Sequence, residues 1–159
     1  MRILGIDPGL RLCGYAVIEA DDNGTELVEA GVFRTDSDRP IEKRLEQIRV
    51  DMQSLLERFS PEVVAVEDLY SHYAHPRTAI LMGHARGVIL STVCRFGAEV
   101  RSFAATKIKK SITGHGRASK AQMQRAIQTL LSLPALPEPA DVADAISVAI
   151  CCHNADREI

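Results

Sequence analysis

Apolar positions along the chain fall into two rhythms. The short runs come first: Ile3, Leu4 and Ile6 lead into Asp7-Pro8-Gly9, which predicts a buried strand from Arg2 to Asp7 closed by a turn. Gly14 to Glu19 and Leu27 to Phe33 predict two more strands around the polar Asp21-Asp22-Asn23-Gly24 turn, so the first third of the chain reads as an antiparallel meander. The period then changes. Ile41, Leu45, Ile48, Met52, Leu55, Leu56 and Phe59 recur mostly every third or fourth residue, which predicts an amphipathic helix starting near Pro40 with Arg and Glu on its outer face. Val63 to Val66 predicts a buried strand ending at Glu67-Asp68. A helix from about Thr78 to Arg95 and a strand from Ala98 to Phe103 follow. Two helices come next, about Ala105 to Ile112 and Ser119 to Leu131, and then a stiff segment with Pro134, Pro137 and Pro139 that aims a last helix, Ala140 to His153. Strands alternating with helices after a meander imply an α/β fold with a five-stranded mixed sheet flanked by helices on both faces. No repeat, linker or low-complexity stretch interrupts the chain, so residues 1–159 read as a single domain.

At 159 residues, 46% apolar and 25% charged, such a chain buries roughly 70% of the surface its unfolded form exposes and needs no disulfide or metal merely to fold. Its apolar stretches, such as Ala145 to Cys152, fall far short of the ~18 residues of a membrane span. Asp7 lies where the apolar part of a secretory signal would run. Cys13, Cys94, Cys151 and Cys152 form no C-x-x-C pair and have no zinc-finger spacing; they read as buried thiols of a reducing cytosol, and the expected location is cytoplasmic.

Charge changes the picture more. The total is −2, from 19 Lys and Arg against 21 Asp and Glu. Between Leu69 and Pro137, however, ten basic residues face the single acid Glu99, so that stretch carries +9 and the remainder −11. A one-signed block on a near-neutral chain suggests a polyanion-binding face set against acids that are solvated or hold cations.

Where those acids lie is informative. Asp7 and Glu67 each end a strand too apolar for a sheet edge, which makes the two strands central neighbours with their acids side by side. Two carboxylates held together raise each other's pKa unless a cation neutralises them. Asp141 and Asp144, at i and i+3 in the first turn of the last helix, share one helix face. Acids at a helix start are commonplace, but four carboxylates from three elements suit hard, octahedral Mg²⁺ or Mn²⁺ and two-metal phosphodiester hydrolysis.

Together, Gly5-Ile6-Asp7-Pro8-Gly9 with Gly14-Tyr15, Val66-Glu67, Gly83-His84-Ala85-Arg86-Gly87 and Ala140-Asp141-Val142-Ala143-Asp144-Ala145 resemble, in order and spacing over essentially the whole chain, the RuvC family of Holliday-junction resolvases. The resemblance implies a ribonuclease H-like fold and a homodimer that cuts two opposed strands of a four-way DNA junction by in-line attack of water, leaving 5′-phosphate and 3′-hydroxyl ends in recombination and repair. It implies Asp7, Glu67, Asp141 and Asp144 as catalytic acids holding two Mg²⁺ ions per site, with Mn²⁺ a possible substitute. Lys109 and Lys120 fall where the family places lysines near the scissile phosphate. Both lie in the basic stretch found by counting, along with the further DNA-binding candidates Arg77, Lys107, Lys110 and Arg117. Tyr70 occupies the place of an aromatic that stacks on a base, with Tyr73 a second DNA contact. The loop from Tyr70 to Arg77 departs from the family pattern, being one residue longer and lacking its usual asparagine. A branch-migration helicase complex of the RuvA-RuvB type is the implied partner.

Three alternatives stand beside this reading. A YqgF-like relative acting on RNA would share the fold and the early Asp. An actin-like phosphate-binding module would need a second phosphate loop and a second domain. An inactive junction-binding protein would be expected to have lost part of the acid set, which is intact. The stripe Ala79, Gly83, Gly87, Ser91 on the second long helix admits another backbone, either a second copy of the chain or its own sheet.

Overall fold

A computed structural model describes residues 1–69 and 74–157. In chain order its elements are β1 (Arg2–Asp7), β2 (Leu12–Asp21), β3 (Gly24–Arg34), α1 (Ile41–Phe59), β4 (Val63–Glu67), α2 (Pro76–Phe96), β5 (Glu99–Phe103), α3 (Ala105–Thr113), α4 (Lys120–Leu130) and α5 (Ala140–Arg157). The strands form one five-stranded sheet in the order β3-β2-β1-β4-β5. The meander β1-β2-β3 is antiparallel, and β4 and β5 run parallel to β1. The β2–β3 turn is closed by Asp21, whose Oδ1 accepts from the backbone N–H of Asn23 (2.7 Å) and Gly24 (3.1 Å).

Because the central strands are apolar on both faces, the sheet is buried from both sides. Leu4, Ile6, Val17, Val64 and Val66 meet Ile48, Met52 and Leu56 of α1 and Ala85, Ile89 and Val93 of α2. On the opposite face Ile3, Ile18, Val63 and Ala65 meet α5, with Ile108 of α3 and Met123 and Ile127 of α4 packed round it. α5 is therefore enclosed, and every residue from Ala145 to His153 is buried. A helix apolar all round is what such a position requires. Each buried Ile or Val there contributes about 1.5–3 kcal/mol.

Two glycines let α5 lie directly on the strands. A Cβ on Gly5 would come within 2.2 Å of Ala145 O, and one on Gly14 within 2.1 Å of Asp141 O. No side chain fits in either place.

Element boundaries differ from expectation for identifiable reasons. α2 begins at Pro76 instead of Thr78 because proline's fixed φ and missing N–H suit the first helical position. α5 continues past His153 because tertiary bonds hold its last turn: Asn154 Nδ2 donates to Ser111 Oγ (3.0 Å), and Arg101 of β5 bonds Asp156. Cys13, Cys151 and Cys152 are buried as expected, but Cys94 is exposed, since it lies on the face of α2 turned from the sheet. The small-residue stripe shares that outward face. Among the described residues, Gly87 has nothing within 4 Å of its would-be Cβ, Gly83 has only the Leu69 side chain at 3.9 Å, and Ile80 beside them is 61% exposed. The stripe therefore does not pack on the chain's own sheet.

Candidate active site

The site is built at the end of the sheet where β1 and β4 finish. The two strands are parallel neighbours with Ile6 opposite Val66, so Asp7 and Glu67 leave the sheet side by side. Asp7 is also paired with Gly14 across the β1–β2 ladder. It is at Gly14 that the backbone of Asp141 rests, so one glycine sets the start of α5 next to the β1 acid. The proline-rich segment holds the approach: Val142 N–H donates to Pro139 O (2.9 Å), and Gln124 Nε2 of α4 donates to Pro137 O (3.1 Å). Asp144 follows one turn after Asp141 on the same side of α5.

Two lysines face these acids. Lys120 opens α4, whose start is fixed by a capping box: Ser119 Oγ accepts from Gln122 N–H (3.2 Å) and Gln122 Oε1 from Ser119 N–H (2.8 Å). Lys109 projects from α3, whose neighbouring Ile108 is buried. Asp7, Glu67, Asp141, Asp144, Lys109 and Lys120 line one open cleft of about 470 Å³.

Its electrostatics are unbalanced. Burial, and then the charges of Glu67, Asp144 and Asp141, push the Asp7 carboxyl up to about 8 against a partial offset from Lys120. Burial followed by Asp144 raises Glu67 to about 7, with Lys109 and Lys120 opposing. Asp144 is raised too, first by burial and then by Asp141. Among the described residues, no hydrogen bond or ion pair engages the Asp7, Glu67, Asp141 or Asp144 carboxyl oxygens. Half-buried acids of one sign without donors fit a hard divalent cation. No three of the described acids, histidines or cysteines are already gathered round one point. Mg²⁺ does not require that, since it keeps several waters and takes one or two carboxylates.

Three residues that sequence reasoning did not single out for the site also shape it. Arg86 of α2 donates through Nη2 to Asp68 Oδ1 (3.0 Å) and Ser102 Oγ (2.8 Å), and through Nε to the Glu67 carbonyl (3.3 Å), tying the end of β4 to α2 and β5. Arg11, in the loop after Asp7, and Met82 of α2 line the cleft. The signal for Arg11 was its place one turn beyond a strand-ending acid. Arg86 and Met82 came within reach only through the packing of α2.

The other basic candidates are dispersed. Arg77 is exposed in the first turn of α2, Arg117 is exposed on the α3–α4 connection near Arg125, and Lys107 and Lys110 lie on the far side of α3. Tyr70 and Tyr73 fall outside the described residues. No described helix is long and apolar enough to cross a membrane.

A mixed sheet in this order, with acids at the ends of two central strands and at the start of the helix lying on them, defines a nuclease of the ribonuclease H-like class. Residues 3–153 match the family model described as "Crossover junction endodeoxyribonuclease RuvC". The chain is 46% identical over 151 residues to the crossover junction endodeoxyribonuclease RuvC of Rhodopirellula baltica, covering 95% of this chain and 85% of that one. To the protein of the same name from Heliobacterium modesticaldum it is 41% identical, covering 97% and 94%. Among solved structures, Thermus thermophilus RuvC superposes with a TM-score of 0.89 at 29% identity over 99% of this chain and 97% of that one. T. thermophilus RuvC in complex with Holliday junction substrate gives 0.88 at 26% identity, covering 99% and 96%. The chain belongs to the RuvC family of crossover junction endodeoxyribonucleases, nucleases that are generally metal-dependent.

Proposed function

We propose that this protein resolves four-way DNA junctions in the cytoplasm as a homodimer, nicking two opposed strands symmetrically, with Asp7, Glu67, Asp141 and Asp144 as the catalytic acids. The observation that carries the assignment of the site is the convergence of acids from β1, β4 and α5 on one cleft, half-buried, mutually repelling and without donors among the described residues, opposite Lys109 and Lys120. These acids would hold two Mg²⁺ ions, or Mn²⁺ in their place, which supply the charge that makes water nucleophilic at neutral pH and stabilises the leaving oxygen. Asp7, which lines the cleft with Glu67 and the α5 aspartates, would be among the residues that hold them. Lys120 and Lys109 neutralise charge developing on the scissile phosphate, a task for which a mobile ammonium is suited. Tyr70, Tyr73, Arg77, Lys107, Lys110 and Arg117 would contact the DNA beyond it.

A nearly two-fold symmetric junction calls for two sites related by a two-fold axis. The outward stripe of α2, small at Gly83 and Gly87 and apolar at Ile80, supports a helix-to-helix contact between copies. A branch-migration helicase complex of the RuvA-RuvB type is the partner this activity calls for.

The test compares nicking of a mobile four-way junction, a linear duplex and an RNA–DNA hybrid with Mg²⁺ present. Paired nicks in the junction alone, lost in Asp7→Asn while junction binding persists, are expected. Preference for the hybrid would favour an RNA-directed relative, and binding without nicking an inactive junction-binding protein. Cleavage retained by Asp7→Asn would remove the acid assignment.

A further inference from the structure

The nine residues of α3 carry three lysines that do not face one way. At about 100° per residue, Lys109 lies some 200° round the helix from Lys107, whereas Lys110 and Ser111 return to the Lys107 side. Lys109 lines the acid cleft. Lys107 and Lys110 instead line a separate depression of about 660 Å³ between α3 and the end of α5, where Arg157 joins them. No acid lines it. Asp156, the acid of the last two turns of α5, is bonded to Arg101 instead. Among the described residues Lys107, Lys110 and Arg157 have no ion-pair partner; the Lys107 ammonium lies 5.5 Å from the centre of the Phe103 ring. Ser111 Oγ accepts from Asn154 Nδ2 (3.0 Å), which leaves the Ser111 hydroxyl proton available to a further acceptor.

We propose that Lys107, Lys110 and Arg157 form a second phosphate-binding surface that grips the backbone of a duplex arm of the junction, separate from the acid cleft and on the other side of α3. The proposal rests on the junction-resolving reading above. Along α5, the 13 residues from Asp144 to Arg157 place the far end of this surface about 20 Å from the cleft. On a duplex arm that is roughly six nucleotides from the scissile phosphate, at about 3.4 Å each. Exposed cations with a hydroxyl donor, and no acid among the described residues to answer them, suit phosphodiester oxygens and read no base sequence. α3 then works as a divider, with Lys109 serving the scissile phosphate and Lys107 and Lys110 turned away from it toward the arm that Arg157 reaches.

The test measures junction affinity against salt for the full chain, for Lys107→Ala/Lys110→Ala/Arg157→Ala, for Lys107→Arg/Lys110→Arg, and for Arg49→Ala/Arg58→Ala/Arg95→Ala, which removes three charges from the α1–α2 layer. Loss of three phosphate contacts reduces the slope of log Kobs against log salt by about 2.7. The Ala triple should show that reduction and an affinity drop of about tenfold or more near 100 mM salt. The Arg double should keep the wild-type slope and the α1–α2 triple should stay near it. Ethylation of phosphates about six nucleotides from the cut should weaken wild-type binding and leave the Ala triple indifferent. Wild-type affinity and slope in the Ala triple, or an equal fall in the α1–α2 triple, would overturn the proposal. Failure of the unaltered protein to nick the junction would refute the preceding reading instead, and the binding isotherms would still decide this one.

Discussion

Asp7→Asn should stabilise the metal-free protein, and by an amount that grows with pH. Burial, reinforced by Glu67 and the α5 aspartates, raises Asp7 in the folded chain from 3.8 to about 8. Between those values the folded chain binds a proton that the unfolded chain has released. Stability from this group is therefore fully present below about pH 4 and is lost as pH rises through about 8. Asparagine has nearly the same shape and carries no charge at any pH, so subtracting the two stability curves removes contributions from acids the proteins share. From pH 5 to pH 8 the difference can widen by at most about 4 kcal/mol, three pH units at about 1.4 kcal/mol each. Water entering the open cleft reduces this, and about half is expected to survive. In a chain this long 1 kcal/mol shifts Tm by about 2–4 °C, so the variant's advantage should grow by roughly 4–8 °C. The assay is thermal or urea unfolding of both proteins in chelator at pH 5, 6, 7 and 8. Adding Mg²⁺ should narrow the gap, because an ion bound only by the folded state stabilises it and the variant lacks one ligand. Parallel curves across this pH range, or a variant less stable at pH 8 than at pH 5 relative to wild type, would refute the account of a charged, donor-free Asp7.

Two further changes test how the site is held. Gly14→Ala puts a methyl group 2.1 Å from Asp141 O, so α5 must withdraw by about 1 Å. The cost should be about 1–3 kcal/mol, with cleavage of bound junction falling about a hundredfold and affinity changing only a few-fold; normal turnover would show that Asp141 does not depend on this contact. Lys120→Ala should slow single-turnover cleavage by about 10²–10³ with little loss of binding, and a collapse of affinity with normal turnover of saturated complex would make Lys120 a phosphate clamp only.

Much of this architecture was legible because local pattern and tertiary need agree. The apolar runs ending in Asp7 and Glu67 could only be central strands, and their adjacency followed; the structure pairs Ile6 with Val66. The four acids could be named, and the basic stretch located, from sequence alone. Less legible was which way each lysine points. Lys107, Lys109 and Lys110 are consecutive charges in one count, yet the turn of α3 sends them to two sides of the helix. Arg86 was visible only as part of a motif, because its partners, Asp68 just after β4 and Ser102 of β5, lie 18 and 16 residues away. The true end of α5 was hidden for the same reason: Asn154 and Asp156 look like helix-ending polar residues until Ser111 and Arg101 are brought to them.

The lysines of the cleft explain why the acids stay poised. Had Lys109 or Lys120 closed onto Asp7 or Glu67 as an ion pair, the carboxyls would have fallen to or below their ordinary range and the cations would have been spent. Neither pair forms; both lysines act on the acids from beyond salt-bridge distance, lowering Glu67 without bringing it below about 7. What keeps them apart is backbone placement. Lys120 is pinned to the first position of α4 by the Ser119–Gln122 capping box, and Lys109 sits beside the buried Ile108 on a separate helix. The acids therefore keep an unmet demand for positive charge, which a divalent ion can fill, while the ammonium groups remain available to a phosphate arriving between them. A single sheet end thus holds both signs in one cleft without letting them neutralise each other, a separation that phosphodiester hydrolysis needs and that the near-neutral total of −2 conceals.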